Sequence, residues 1–189
     1  MPKLFPLSSQ PGSAIEALLD AAFGTDRHGR TAYAIRRGME WLPDYSYAAV
    51  EEDGALVGLL QSWPIALTDD AGGAHIPLIM VGPVAVSPQS QGEGCGRLLM
   101  DRLIDDAEAG ADAHLVMIGD PEYYGRFWGF AADATSGWRA PGPFEARRLL
   151  LRPVPHAAPL PEGLGGMLGP RVTAPVTPSA DERAGAGRL

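Results

Sequence analysis

The chain has 189 residues, 23 acidic against 15 basic side chains, and a formal net charge of −8. That length allows one domain with a substantial core, and the negative balance argues against a nucleic-acid surface, which needs a basic patch. Cys95 is the only cysteine, so no intramolecular disulfide can form, and a reducing cytoplasm is the expected compartment.

The opening MPKLFPLSS has neither the long apolar core nor the cleavage pattern of a secretory signal. The longest apolar run, residues 76–86, is too short for a membrane span and is interrupted by Gly82 and Pro83. Neither a nucleic acid nor a membrane is therefore an expected partner. The acidic balance suits an amine-bearing partner, and simple solubility explains it equally well.

Residues 3–7 read as a first short strand. Ser8, Ser9 and Ser13 offer helix caps around Pro11, and Ala14, Ile15, Leu18, Leu19, Ala22 and Phe23 recur at helical spacing until Gly24. The basic stretch RHGRTAYAIRR, residues 27–37, reads as loop and then a second helix ending near Trp41, its arginines on a solvated face. Residues 46–51 and 56–67 flank Asp53 and Gly54, an Asp-Gly hairpin signal. A second turn at residues 69–73 leads to a strand beginning near His75. Pro83 lies inside that strand and cannot donate to a ladder, so Gly-Pro predicts a bulge.

Residues 84–96, VAVSPQSQGEGCG, run from strand through a glycine-rich turn into a helix. The first N–H groups of a helix have no internal partner and carry its positive dipole end, so such a turn either suits a phosphate or pyrophosphate or is a plain tight turn. The spacing Q-x-x-G-x-G, set by Gln91, Gly94 and Gly96, favours the phosphate. From Gly96 to Ala109 the apolar side chains Leu99, Met100, Leu103, Ile104 and Ala107 form one helical stripe, with Gly110 as the stop. Residues 113–118 are nearly all apolar, as in a buried strand between parallel neighbours. In GDPEYYGRFWGF, residues 119–130, Asp120 and Pro121 open a short helix that Gly129 ends. Residues 137–143 read as loop and residues 146–152 as the last strand.

The domain is expected to span residues 1–154. Residues 155–189 form a Pro/Gly/Ala-rich extension, packed to about residue 172 through Leu160, Leu164, Met167 and Leu168 and unordered beyond.

Gln91, Gly94 and Gly96 fit the pattern [Q/R]-x-x-G-x-[G/A]. In this the sequence resembles the GNAT family of acyl-CoA N-acyltransferases, nearest to a bacterial branch of predicted N-acetyltransferases. The resemblance implies an α/β GNAT fold: a mixed, mostly antiparallel sheet, its fourth and fifth strands splayed around a β-α-β unit, with helices on both faces. It implies acetyl-CoA as co-substrate, its pantetheine along Val84, Ala85 and Val86 and its pyrophosphate on Gln91, Gly92, Glu93, Gly94, Cys95, Gly96 and Arg97. It also implies an amine acceptor of unspecified identity, attacking the thioester directly in a ternary complex, with the region of residues 27–41 helping to wall its site. The protein is expected to be a monomer or homodimer.

In the family a tyrosine after the fifth strand protonates the leaving thiolate. Tyr124 takes that role here, with Tyr123 as the alternative, because Tyr124 to Gly129 is one residue longer than the usual spacing and Trp128 reads as an insertion. No single general base stands out: Glu51, Glu52, Asp69, His75, Asp120 and His114 lie near strand ends, and family members often use ordered water. His114, within an apolar strand, reads as a hydrogen-bonded core residue. No Cys/His cluster points to a metal. Two rival functions remain open. GEGCG also fits a dinucleotide-type loop such as that of a methyltransferase, and a non-catalytic acyl-CoA sensor would keep the loop without the chemistry.

Overall fold

The computed structural model describes residues 1–171. Its strands are β1 (Lys3–Pro6), β2 (Tyr47–Val50), β3 (Leu56–Asp69), β4 (His75–Val86), β5 (His114–Ile118), β6 (Trp138–Arg139), β7 (Leu149–Arg152) and β8 (Gly166–Pro170). The helices are α1 (Gly12–Phe23), α2 (Thr31–Ile35), α3 (Cys95–Gly110) and α4 (Pro121–Trp128). The strands join one mixed sheet in the order β1-β2-β3-β4-β5-β7. The first four pair antiparallel, β5 runs parallel to β4, and β7 runs antiparallel to β5. The continuous apolar run of β5 therefore has one parallel neighbour rather than two. Its burial comes from α3 on one face and from α2 with the C-terminal segments on the other.

The sheet is covered on both faces because its strands alternate. Leu60, Ile79, Val81, Leu115 and Met117 point to the side where α3 lays down Leu99, Met100, Leu103 and Ala107. Leu59 and Ala48 point the other way, against Leu18 and Leu19 of α1. Farther along that second face Ile65, Leu67, Leu78, Met80 and Val116 meet Ile35, Trp138 and Leu168. Burying so many aliphatic side chains on both faces, at roughly 25 cal/mol per Å² of apolar surface, is the main force holding the layers together.

β3 is 14 residues long and uses two different partners along one edge. Leu56 to Leu60 pair with the short β2, and Ile65 to Asp69 pair with β8. The chain from residue 155 onward thus supplies a strand that continues where β2 stops. This strand was not expected from the sequence, because MLGP carries little β-propensity; the exposed edge of β3 selects it instead. β6, inside the segment read as loop, pairs in parallel with β8. The expectation for residues 173–189 falls outside the described residues.

The region of residues 27–41 also differs from its reading. α2 stops at Ile35, and Gly38 takes a φ of 76°, so the chain turns before Trp41. Arg27 and Arg36 are buried, 2% and 4% exposed, rather than spread on a solvated face. The serines do not cap α1. Pro11 sits at its N-cap with no side-chain bond, while Ser9 Oγ donates to Pro6 O at 2.7 Å.

Candidate active site

The site begins with a break in β4. Leu60 pairs with Val84 and Ser62 with Val81, so Gly82 and Pro83 together oppose Gln61. Gly82 has a φ of 116°, a conformation side chains other than glycine rarely adopt. This is the bulge that Gly-Pro predicted, and its consequence is on the other edge of β4. Only Leu78 to Met80 pair with β5, through His114 to Val116. Among the described residues no strand pairs with that edge beyond Met80, so β4 and β5 part and backbone groups of Val84, Ala85 and Val86 face the gap.

The chain then enters the glycine loop and α3. Residues Pro88–Ser90 form one 3-10 turn, Gln91 is extended, and Gly92 and Gly94 take φ values of 88° and 83°. Gly94 is the N-cap of α3, and no side chain caps the helix. The opening N–H groups at Cys95, Gly96 and Arg97 are thus left for another acceptor, at the positive end of a 16-residue helix. A Cβ at Gly94 would meet no protein atom within 4 Å, so this end of the helix is open. Cys95 turns its thiol inward against Gly58 and is 3% exposed; burial, with Glu51 and Glu93 nearby, pushes its pKa up to about 11. Any part it plays toward a ligand is through its backbone.

α4 lies against the first turns of α3. The Arg97 guanidinium sits over the Phe127 ring at 4.1 Å, and Trp128 donates its indole N–H to Asp101 at 2.7 Å. Asp120 caps α4 by accepting from Glu122 N, and Gly129, at a φ of 69°, closes it. The structure separates the two tyrosines. Tyr123 is 40% exposed, whereas Tyr124 is half-buried and packs on the α3 core. A Cβ at Gly119 would come within 2.7 Å of the Tyr124 ring, so a glycine there makes room for it. Burial first, then Tyr123 and Asp120, pushes the Tyr124 pKa up to about 12, so its hydroxyl keeps its proton at neutral pH.

On the opposite face, next to the bulge, is a cavity of about 450 Å³ lined by Tyr33, Arg36, Trp41, Gln61, Trp63 and Arg27 among others. Arg36 Nη1 and Trp63 Nε1 both donate to the carbonyl of Gly82, at 2.6 and 2.9 Å. The Arg36 guanidinium lies between two rings, 4.1 Å from the Tyr33 centroid and 4.3 Å from that of Trp63. Glu51, Glu52, Asp69, His75, Asp120 and His114 do not line this cavity. His114 is instead a core residue, 6% exposed. Its Nδ1 accepts from Val154 N at 3.1 Å, which leaves Nε2 to donate to Ala158 O at 3.0 Å. The resemblance placed residues 27–41 at the acceptor site but singled out neither Tyr33 nor Arg36, and Gln61 and Trp63 were missed altogether. The signal for two of them was present: Gln61 and Trp63 share the period-2 face of Leu59 and Ile65, opposite the Gly-Pro bulge.

A gap between two parallel strands, followed by a glycine turn and an uncapped helix, is the arrangement of an acyl-CoA-dependent transferase. Residues 9–131 match the acetyltransferase (GNAT) domain family, and the chain belongs to that family. The uncharacterized N-acetyltransferase YhbS of Escherichia coli K12 is 26% identical over 113 residues, covering 60% of this chain and 64% of that protein. The chain thus matches somewhat less than two thirds of that relative's length. The crystal structure of E. coli YhbS in complex with CoA superposes with a TM-score of 0.63 at 22% identity, covering 88% of this chain and 87% of that one. A probable N-acyltransferase from Enterococcus faecalis V583 matches 70% of this chain and 33% of its own, with a TM-score of 0.52 at 18% identity.

Proposed function

We propose that the protein transfers an acetyl group from acetyl-CoA to an amine by direct attack in a ternary complex. The observation that carries this is the single β-α-β unit in which β4 parts from β5 beyond Met80 and leads into the uncapped α3. On this reading the N–H groups from Gly94 to Arg97, with Gln91, Gly92 and Glu93 shaping the loop, hold the pyrophosphate. The gap-facing backbone of Val84, Ala85 and Val86 pairs with the pantetheine amides, as a peptide pairs with a sheet edge. YhbS, which shares the fold, was crystallised with CoA, which supports the same co-substrate here.

The chemistry needs a neutral amine, a polarised carbonyl and a protonated leaving group. The amine nitrogen forms the new C–N bond to the thioester carbonyl carbon, and the C–S bond then breaks. Fixed N–H dipoles of β4 at the bulge stabilise the negative charge on the carbonyl oxygen during that exchange. Tyr124, half-buried and protonated, gives its proton to the departing sulfur, and the amine proton leaves through water. The catalytic domain is residues 1–154, with the following segment strapped along β3. A lone buried thiol suits a cytoplasmic protein.

Calorimetry with acetyl-CoA and with S-adenosylmethionine tests the reading. Binding of acetyl-CoA together with CoA release in the presence of an amine is the expected result. Binding of S-adenosylmethionine alone would overturn it.

A further inference from the structure

The cavity beside the bulge holds two buried arginines in opposite electrostatic situations. Arg27 is neutralised: its Nε donates to Asp20 at 2.8 Å, its Nη1 to the Tyr33 hydroxyl at 2.6 Å, and its Nη2 pairs with Glu16. Burial alone would lower its pKa, but these bonds more than offset that and raise it. Arg36 has no such partner. Among the described residues no carboxylate pairs with it, and its one hydrogen bond goes to the backbone of Gly82. Burial pulls its pKa down to about 10, with Arg27 adding to the shift and Tyr33 and the more distant Glu16, already paired with Arg27, opposing it, so it is still a cation at neutral pH.

An unpaired buried cation is expensive to keep, and removing it would improve a merely structural core. Its surroundings suggest why it stays. The Tyr33 and Trp63 rings stack within 4.1 and 4.3 Å of the guanidinium carbon, and only Nη1 is hydrogen-bonded, so N–H donors of the group remain for a ligand. Gln61 is 4% exposed, lines the same cavity, and its amide has no hydrogen-bond partner among the described residues. A planar donor edge with an amide beside it matches a carboxylate, which accepts two parallel hydrogen bonds from a guanidinium. A volume of about 450 Å³ with aromatic walls fits a small molecule that has an apolar portion.

We propose that this cavity takes an acceptor carrying a carboxylate beside its amine, a free amino acid in the simplest case, with Arg36 and Gln61 holding the carboxylate. The proposal rests on the acetyl-transfer reading. Because Arg36 is anchored to Gly82, two residues before Val84, the carboxylate site and the acyl site share one bulge. Tyr33, Trp41 and Trp63 then select the side chain.

The test uses pairs that differ only in the carboxylate: the free α-amino acids and their amides. Binding is measured by calorimetry without acetyl-CoA, and CoA release is measured with it. The best acid is expected to bind at least about tenfold tighter than its amide, the loss typical of a charged hydrogen bond. Arg36→Met should remove that preference and Gln61→Leu should reduce it, both leaving acetyl-CoA affinity in place. The Gly82 carbonyl keeps its bond from Trp63 in Arg36→Met, and Gln61→Leu breaks no observed bond and serves if the first variant fails to fold. Equal binding of acids and amides, no binding or turnover of any acid, or a preference that survives both variants would overturn the proposal. Loss of acetyl-CoA binding with the acid preference intact would instead sink the acetyl-transfer reading alone.

Discussion

Trp128 donates its indole N–H to Asp101 at 2.7 Å, and this bond ties the end of α4 to α3 about two turns after Gly94. Trp128, which reads as an insertion in the sequence, is therefore a clamp between the two helices. Trp128 is 6% exposed while Asp101 stands at the surface, so the bond closes the edge of the contact between the two helices. Trp128→Phe keeps most of the packing and removes the donor. It should lower stability by about 1–3 kcal/mol, as for a hydrogen bond to a charged group, and urea unfolding would show a lower midpoint at an unchanged slope. An unchanged midpoint would mean that packing alone holds α4.

Tyr124 and Tyr123 are expected to respond differently. Tyr124→Phe should lower kcat about 10²-fold or more with little change in acetyl-CoA affinity, because the lost proton matters mainly as the thiolate departs. Tyr123→Phe should be mild, since that ring is on the outside of α4. Steady-state kinetics of both variants decides the point. If neither loses activity, water or another group protonates the sulfur.

Gly94→Asp tests the loop. Aspartate tolerates the left-handed region better than most side chains, so a φ of 83° should reduce stability by only about 1–2 kcal/mol. Its carboxylate would stand where the helix N-terminus is open, against the phosphate charge. Acetyl-CoA affinity should fall at least about tenfold by calorimetry, well beyond what the stability loss explains. Unaltered affinity would place the pyrophosphate elsewhere.

His114 should make stability depend on pH. Burial holds its pKa below the ordinary value, opposed only in part by the bond to Ala158. As pH falls below about 6.5 the unfolded chain takes up a proton there and the folded one does not, so stability falls with pH in that window. Protonation would also remove the Nδ1 acceptor from Val154 N. Melting temperatures between pH 8 and 5 should therefore fall more steeply for the wild type than for His114→Gln. Parallel curves would show that other groups carry the acid sensitivity.

Leu168 probes the strap. It is 2% exposed and its backbone pairs with Leu67 on β3. Leu168→Ala should cost about 2–5 kcal/mol, as for other buried leucines, and thermal unfolding would register it. A change under about 0.5 kcal/mol, the range of surface substitutions, would show that β8 adds nothing to the fold.

Much of this was readable in the chain, and it shares one property: each feature is decided within a few residues. Gly54 at a φ of 88° closes the hairpin that Asp-Gly announced. Gly-Pro bulges β4, Gly94 opens α3, and Asp120 and Gly129 bound α4, each by the torsional or hydrogen-bonding habit of one residue type. The alternation and stripe of apolar side chains place the sheet between its helices for the same local reason. What the tertiary structure alone decided lies between distant residues. Arg36 reaches Gly82 across 46 positions, and nothing in RHGRTAYAIRR distinguishes the neutralised arginine from the unpaired one. β8 meets β3 about a hundred residues away because a free sheet edge will accept a segment of weak propensity. Burial of a charge and closure of an edge depend on what the folded chain brings alongside, and sequence spacing carries no record of that.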